Sequence, residues 1–559
     1  MINKILRSSL SLLILFLLMA CLTDELLAMP PVRKTVLSNG LVILHSEDHS
    51  LPFVSLQLLI DGGSRKDTPG QEGLSYLTAK GLLLGTSRHT MAEISEELDF
   101  MGASISSSSG RDYSTLGLRS LKKDLDRSLE ILMEELTQPA FPDEEIKREV
   151  RKTLAAIQSE EDEPGEVAEK EFRKALFLSS PYAHPVIGTK ESLPKITRES
   201  IYRFYKDYYH PNNCILVVVG DITSEEVKTK LFPLFEKMPT AEIPQAAFVS
   251  SFAKGPETIR VNREITQANI VLGNEGIDRG NPDFYAVSVM NYILGGGGFA
   301  SRMLKDIRNK RGLAYEVASF FDAAKYPGSF QVVLQTKNAS AHEAISLALK
   351  QMELIRKETV SNEELDGAKK YLIGSFPMRL DTQDKLANFL AQVQYYGLGL
   401  DYAEKYPSLI KAITKEDVLR VAGKYLHPEN YVLVVVANLK EAGMDKVSSD
   451  ADPPVSEHGI KLTDLGISVD SITPDFQKEY RLEEASGVVV TSVKPDSPAD
   501  AAGMKAGDVI RKIDLNTVRN MKDFDAAILY WEKGKNIELS IKRGKNIMDI
   551  VIATDSNRM

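Results

Sequence analysis

Apolar and polar positions alternate in two distinct rhythms along the chain. Near the N-terminus, "NGLVIL" and "FVSLQLLI" are short apolar runs, the first led in by the turn signal Asn39-Gly40, and both read as strands. Between them lies "HSEDH", with His45 and His49 four residues apart. Two imidazoles at that spacing converge on one ion only on a helix, so here they are expected to be exposed turn histidines. Further on the period lengthens. "TMAEISEELDFMG" opens with a capping box, Thr90 and Glu93, and stops at Gly102. "EEIKREVRKTLAAIQSE" places Ile146, Val150, Leu154 and Ile157 on one helical stripe. Strands and helices mix without regular alternation, which predicts α+β layers.

The pattern also repeats. "ITRESIYRFYKDYYHPNNCILVVVGD" (196–221) and "ITKEDVLRVAGKYLHPENYVLVVVAN" (413–438) align without gaps, each a predicted helix, Pro turn and buried strand. Two copies of one unit are expected, at 33–240 and 255–443, with a linker at 241–254. "SSDADPPVSEHG" makes 444–458 a second linker, and a smaller third domain follows at 459–553.

Composition narrows the class. The 559 residues are 43% apolar, enough for several cores, and the formal net charge of −10 without a basic block argues against nucleic acid as a partner. Lys4 and Arg7 precede "SLSLLILFLLMAC", a charged segment and an apolar stretch too short for a comfortable span, as in an export signal. Its end, "LLMAC", resembles a bacterial lipobox. That resemblance implies a signal peptide over 1–21, lipidation of Cys21, and an exported bacterial lipoprotein on the periplasmic side of a membrane. Cleavage near Ala28 and an uncleaved anchor are the alternatives. One other cysteine, Cys214, exists, so no intramolecular disulfide framework holds the mature chain.

Four separated motifs, "TVLSNGLVILHSEDHSLPFVSLQLLIDGGSRKD", "GLSYLTAKGLLLGT", "YYHPNNCILVVVGD" and "ILGGGGFASRMLKDIRNKRGLAYEV", resemble the pitrilysin or insulinase superfamily of zinc peptidases, especially the mitochondrial-processing-peptidase branch. The resemblance implies two homologous α+β units forming half of a clamshell chamber. It also implies an inverted H-x-x-E-H motif on the helix "GLSYLTAKGLLLGT", with a glutamate further on as the remaining zinc ligand. Those positions fall on Tyr76, Ala79, Lys80 and Ala156. Alanine offers no lone pair, a phenol is a poor neutral ligand, and an ammonium puts positive charge where the cation would sit. The chain itself is therefore expected to bind no zinc or other cofactor.

The second unit keeps the family's arginine and tyrosine pair at Arg308 and Tyr315, which in relatives closes over the substrate. "GGGGFA" also matches a dinucleotide fingerprint, but the preceding "DFYAVSVMNYIL" looks helical and no βαβ unit surrounds it. The family implies instead a flexible glycine loop, Gly295, Gly296, Gly297 and Gly298, beside a substrate chamber. The third domain resembles a PDZ domain of the HtrA type, a small β-sandwich or barrel with helices, carried by "DLGISV" and "SPADAAGMKAGDVI". The resemblance implies that Leu465, Gly466 and Ile467 hold a peptide carboxylate, with Phe524 and Ile528 facing the groove.

Together these features predict an exported, non-catalytic subunit that works with a homologous zinc-bearing catalytic subunit on peptides or unfolded proteins. The zinc would belong to that partner. A stand-alone peptide receptor or adaptor without proteolysis is the alternative. A metal site built on His45 and His49 would make the chain a competent enzyme.

Overall fold

A computed structural model describes residues 30–245, 248–445 except 249–251 and 254, and then 465–472, 486–513 and 516–552, the last span except 520, 522, 525–526, 528–536 and 545. The chain divides into two compact units. One comprises the described part of Met1–Thr336 with Ala348–Leu439, and the other Lys337–Leu347 with the described part of Lys440–Met559. Cys21, the signal segment and Ile528 lie outside the described residues.

The first unit holds two sheets of matching design. Strands β1 (Val32–Val36), β2 (Val42–Glu47), β3 (Phe53–Ile60), β4 (Ser104–Ser109), β5 (Ser114–Leu121) and β6 (Cys214–Gly220) form one, in the order β1-β2-β6-β3-β5-β4. Strands β7 (Glu257–Asn262), β8 (Gln267–Glu275), β9 (Ala314–Asp322), β10 (Ser329–Lys337) and β11 (Val432–Ala437) form the other, in the order β7-β11-β8-β10-β9. β6 lies parallel to β2 and antiparallel to β3, and β11 lies parallel to β7 and antiparallel to β8. The repeated sequence thus delivers the same inner strand to both sheets. In each copy the preceding helix, Arg198–Tyr208 or Lys415–Tyr425, opens with a threonine capping box, Thr197 or Thr414.

"CILVVVG" and "VLVVVA" are apolar at successive positions because both faces of each sheet are covered. The covering helices are exchanged between the halves. Helix α1 (Leu74–Gly81) and helix α2 (Asp143–Asp162) pack in the first half's core, and α2 buries Ile146 and Ile157 with Val150 and Leu154 partly covered. The next helix, α3 (Pro164–Phe177), belongs to the first half in sequence. It nonetheless sets Ala168, Phe172, Leu176 and Phe177 against Val271, Val432, Val434 and Val436 of the second sheet. In return, helix α4 (Gln383–Tyr395) lays Leu386, Ala387, Leu390 and Ala391 on Leu44, Leu59, Val217 and Val219 of the first sheet. Each half completes the other's core.

A polar seam reinforces this exchange. Asp61 pairs with Arg65 and accepts from Lys325 Nζ at 2.9 Å and Tyr395 Oη at 3.0 Å, while Asp112 accepts from Tyr182 Oη and from the Lys325 backbone N–H at 2.8 Å. Burial pushes the Asp61 carboxyl up, but Arg65 and Lys325 prevail and hold it below the usual carboxylate range.

"HSEDH" departs from the expected exposed turn. β2 runs on through His45, which pairs with Val218 of β6 and is buried, its Nε2 3.0 Å from the Ile222 carbonyl. Only His49 is exposed, with Nδ1 2.6 Å from Asp221 Oδ1. The polar run did not end the strand because β6 offers a backbone partner as far as Gly220, and a carbonyl is there to satisfy the imidazole.

In the second unit, β12 (Ile467–Ser471), β13 (Val488–Val493), β14 (Val509–Ile513), β16 (Ile537–Arg543) and β17 (Asn546–Ile552) form an antiparallel sheet in that order, with the short β15 (Asn516–Thr517) paired to β14. Its core gathers Val488, Val490, Ile510, Ile537, Leu539 and Ile541.

Candidate functional site

The first candidate centre is the face of α1 that meets α2. α1 begins at Gly73, whose φ of 96° suits glycine, and no side chain of that residue caps it. Asp67 does so instead, accepting from the Gly73 and Ser75 backbone N–H groups at 2.8 Å each. Close packing anchors the other end, since a Cβ on Gly81 would lie 2.7 Å from the Phe141 ring.

On this helix Ala79 is fully buried and Tyr76 and Lys80 are half-buried, with Lys80 Nζ 5.7 Å from the centre of the Tyr76 ring. Across from them α2 turns Glu149, Thr153, Ala156 and Glu160 to one side, three or four residues apart. Burial and then the Glu149 charge push the Tyr76 phenol above its ordinary range, so it stays neutral. The donor set is thus a neutral phenol, an ammonium and two methyl groups. These residues do not fit a zinc ion. Among the described residues, no group of three His, Cys, Asp or Glu side chains is arranged to hold a metal, and His45 and His49 are bound to a carbonyl and a carboxylate instead.

The second centre lies in the other half. Helix Phe284–Asn291 widens into an i→i+5 turn over Tyr292–Gly296, which corrects the expectation of a loose glycine loop. Gly295 and Gly296 sit against β9 because Asn291 Nδ2 donates to the Ser319 carbonyl at 3.0 Å and Ser319 Oγ to Asn291 Oδ1 at 2.8 Å. A Cβ on Gly295 would come within 2.5 Å of Ser319 Oγ. Gly297 is closed in by Tyr292, and only Gly298, at φ 53°, stands in open space. The helix before this run, with no strand leading into it, leaves no dinucleotide site.

Arg308 is exposed on the helical segment Leu304–Lys310, its guanidinium carbon 5.4 Å from the centre of the Phe299 ring. A short turn then leads to Tyr315 at the start of β9, where the register against β10 slips: Gln335 faces Glu316 and Thr336 faces Ala314. Tyr315 is the extra residue of a β-bulge, a device that re-aims a side chain, and it is 51% exposed. Guanidinium and phenol therefore both reach solvent close together in sequence, free to donate to an incoming carbonyl. Sequence reasoning passed over Phe299, whose only signal was an aromatic directly after four glycines.

In the second unit Leu465 and Ile467 are buried and Gly466 has φ 74°, its Cα so close to Ser497 that a Cβ would collide. β12 follows at the edge of the sheet, and among the described residues it pairs only with β13, so on those residues one row of its backbone groups is open to an added strand. Phe524 does not face a groove. It is 1% exposed and packed with Leu465, Ile467, Val490 and Ile510, because the apolar stripe it shares with Met521 and Ala527 turns to the core.

Residues 42–190 match the model of the insulinase family, Peptidase family M16, and residues 195–372 match the Peptidase M16 inactive domain. Residues 463–554 match a PDZ domain. The chain carries the N- and C-terminal domains of M16 and a PDZ domain. An uncharacterized zinc protease of Streptomyces coelicolor is 26% identical over 70% of this chain and 86% of its own length. A Helicobacter pylori protein described as a non-peptidase homolog is 25% identical over 71% of this chain and 92% of its own. The solved structure of a peptidase M16 inactive domain from Pseudomonas fluorescens is 28% identical and superposes with a TM-score of 0.68, covering 73% of this chain and 98% of that one. Proteins similar to this chain thus include both one described as an uncharacterized zinc protease and one described as a non-peptidase homolog.

Proposed function

We propose that this M16 chain is the non-catalytic subunit of a heteromeric zinc peptidase, exported and anchored through a lipid on Cys21. It supplies Arg308 and Tyr315 as hydrogen-bond donors to a peptide carbonyl as that oxygen gains charge, while a homologous catalytic subunit supplies H-x-x-E-H and the zinc. The observation that carries this reading is the contrast between the two centres. The face formed by Tyr76, Ala79, Lys80 and Ala156 presents no ligand set, whereas a β-bulge and a wide helical turn hold Tyr315 and Arg308 out to solvent. The edge position that β12, beside Gly466, holds among the described strands supports capture of peptide C-termini by the PDZ domain.

The test is peptide hydrolysis by this chain, by a zinc-bearing M16 partner, and by the two mixed at fixed ratio. Activity should appear in the mixture and be absent from this chain alone. Tyr315→Phe removes one donor with little change in packing, and loss of an oxyanion donor costs about 10²- to 10³-fold in kcat. Full activity in that variant would favour a peptide receptor without proteolysis.

A further inference from the structure

An arginine that donates to a carbonyl must be held with its planar edge outward. Among the described residues no carboxylate lies at ion-pair distance from Arg308, so no salt bridge sets its orientation. Its guanidinium rests on the ring of Phe299. That ring is 69% exposed, with no core of its own to fill. The backbone beneath it is nevertheless packed and hydrogen-bonded on both sides. Gly295 and Gly296 are pinned to Ser319 and Asn291, and beyond the ring the Gly298 carbonyl accepts from Ser301 N–H at 2.9 Å and Ser301 Oγ at 2.7 Å. A hydrogen-bonded backbone thus carries an exposed aromatic face beneath a cation that has no carboxylate partner among the described residues.

A cation–π contact has a consequence that an ion pair lacks. A carboxylate partner would occupy the in-plane N–H donors of the guanidinium, whereas an aromatic face attracts the cation and leaves those donors free. We propose that Phe299 is a positioning residue, whose ring orients the Arg308 guanidinium toward the peptide carbonyl. The proposal rests on the role given to Arg308 above. Phe299→Leu keeps apolar bulk and removes the π-face, while Phe299→Trp keeps it. A contact of this kind is worth a factor of about 3 to 30, depending on how far the site is desolvated.

The experiment is a double-mutant cycle on the full chain mixed with the zinc-bearing partner at matched ratio, reading kcat and KM separately. F299L should lower kcat about 3- to 30-fold with Arg308 present and cause no further loss in the R308A background. F299W should restore most of the activity. An equal loss from F299L in both backgrounds, or failure of F299W to rescue, would overturn the positioning role while leaving Arg308 in place. Unchanged turnover in R308A alone would overturn the site itself, and with it the proposal.

Discussion

Glu135 offers a pH dependence that follows from one buried carboxyl. It lies on the helix Leu125–Thr137, 2% exposed, and its Oε2 has no hydrogen-bond partner. The neighbouring Glu134 is bonded to Thr86 and His89, which hold it below its usual range despite burial. Burial first, and then the Glu134 charge, push the Glu135 carboxyl up from 4.5 to about 8. The folded chain therefore keeps a proton that the unfolded chain releases once the pH passes 4.5. Stability contributed by the protonated form is fully present below that value and is lost progressively as the pH rises to about 8. At ~1.36 kcal/mol per pH unit the loss is about 4 to 5 kcal/mol. Glu135→Gln preserves shape and, like the protonated acid, carries no charge, but does not titrate. Urea unfolding followed by far-UV circular dichroism should show the two proteins nearly equal at pH 5 and the variant more stable by several kcal/mol at pH 8.5. Parallel stability curves across that range would refute the reasoning.

Three further outcomes follow. Phe172 is fully buried against the second sheet, so Phe172→Ala should cost about 3 to 5 kcal/mol, and residues 30–245 expressed alone should not unfold cooperatively because α3 and the first sheet both lose their partners; a cooperative transition in that fragment would contradict the exchange of helices. Cys21→Ser should move the protein from the membrane fraction to the soluble one, and unchanged association would place the anchor elsewhere.

Local patterns in the sequence were enough to find the repeated helix and strand, because Thr197 and Thr414 cap in the same way and the valine runs are buried on both sides. The exchange of α3 and α4 was not legible, since an amphipathic stripe shows that a face is buried and not against which sheet. His45 was misread for a similar reason: a buried imidazole depends on the Ile222 carbonyl, 177 residues away. Likewise Phe524 has the helical spacing of a groove residue and of a core residue alike, and only packing separates them. Tyr315 was identifiable from its motif, but its exposure comes from a slip in register against β10 that no local pattern announces.

The most direct test of the central claim is the zinc content of the purified chain, free of any partner and dialysed against trace zinc, measured by elemental analysis beside its peptidase activity. With Tyr76, Ala79, Lys80 and Ala156 at the ligand positions, the account predicts far less than one zinc per chain and no hydrolysis. One tightly bound zinc per chain, accompanied by hydrolysis that a chelator abolishes, would contradict it.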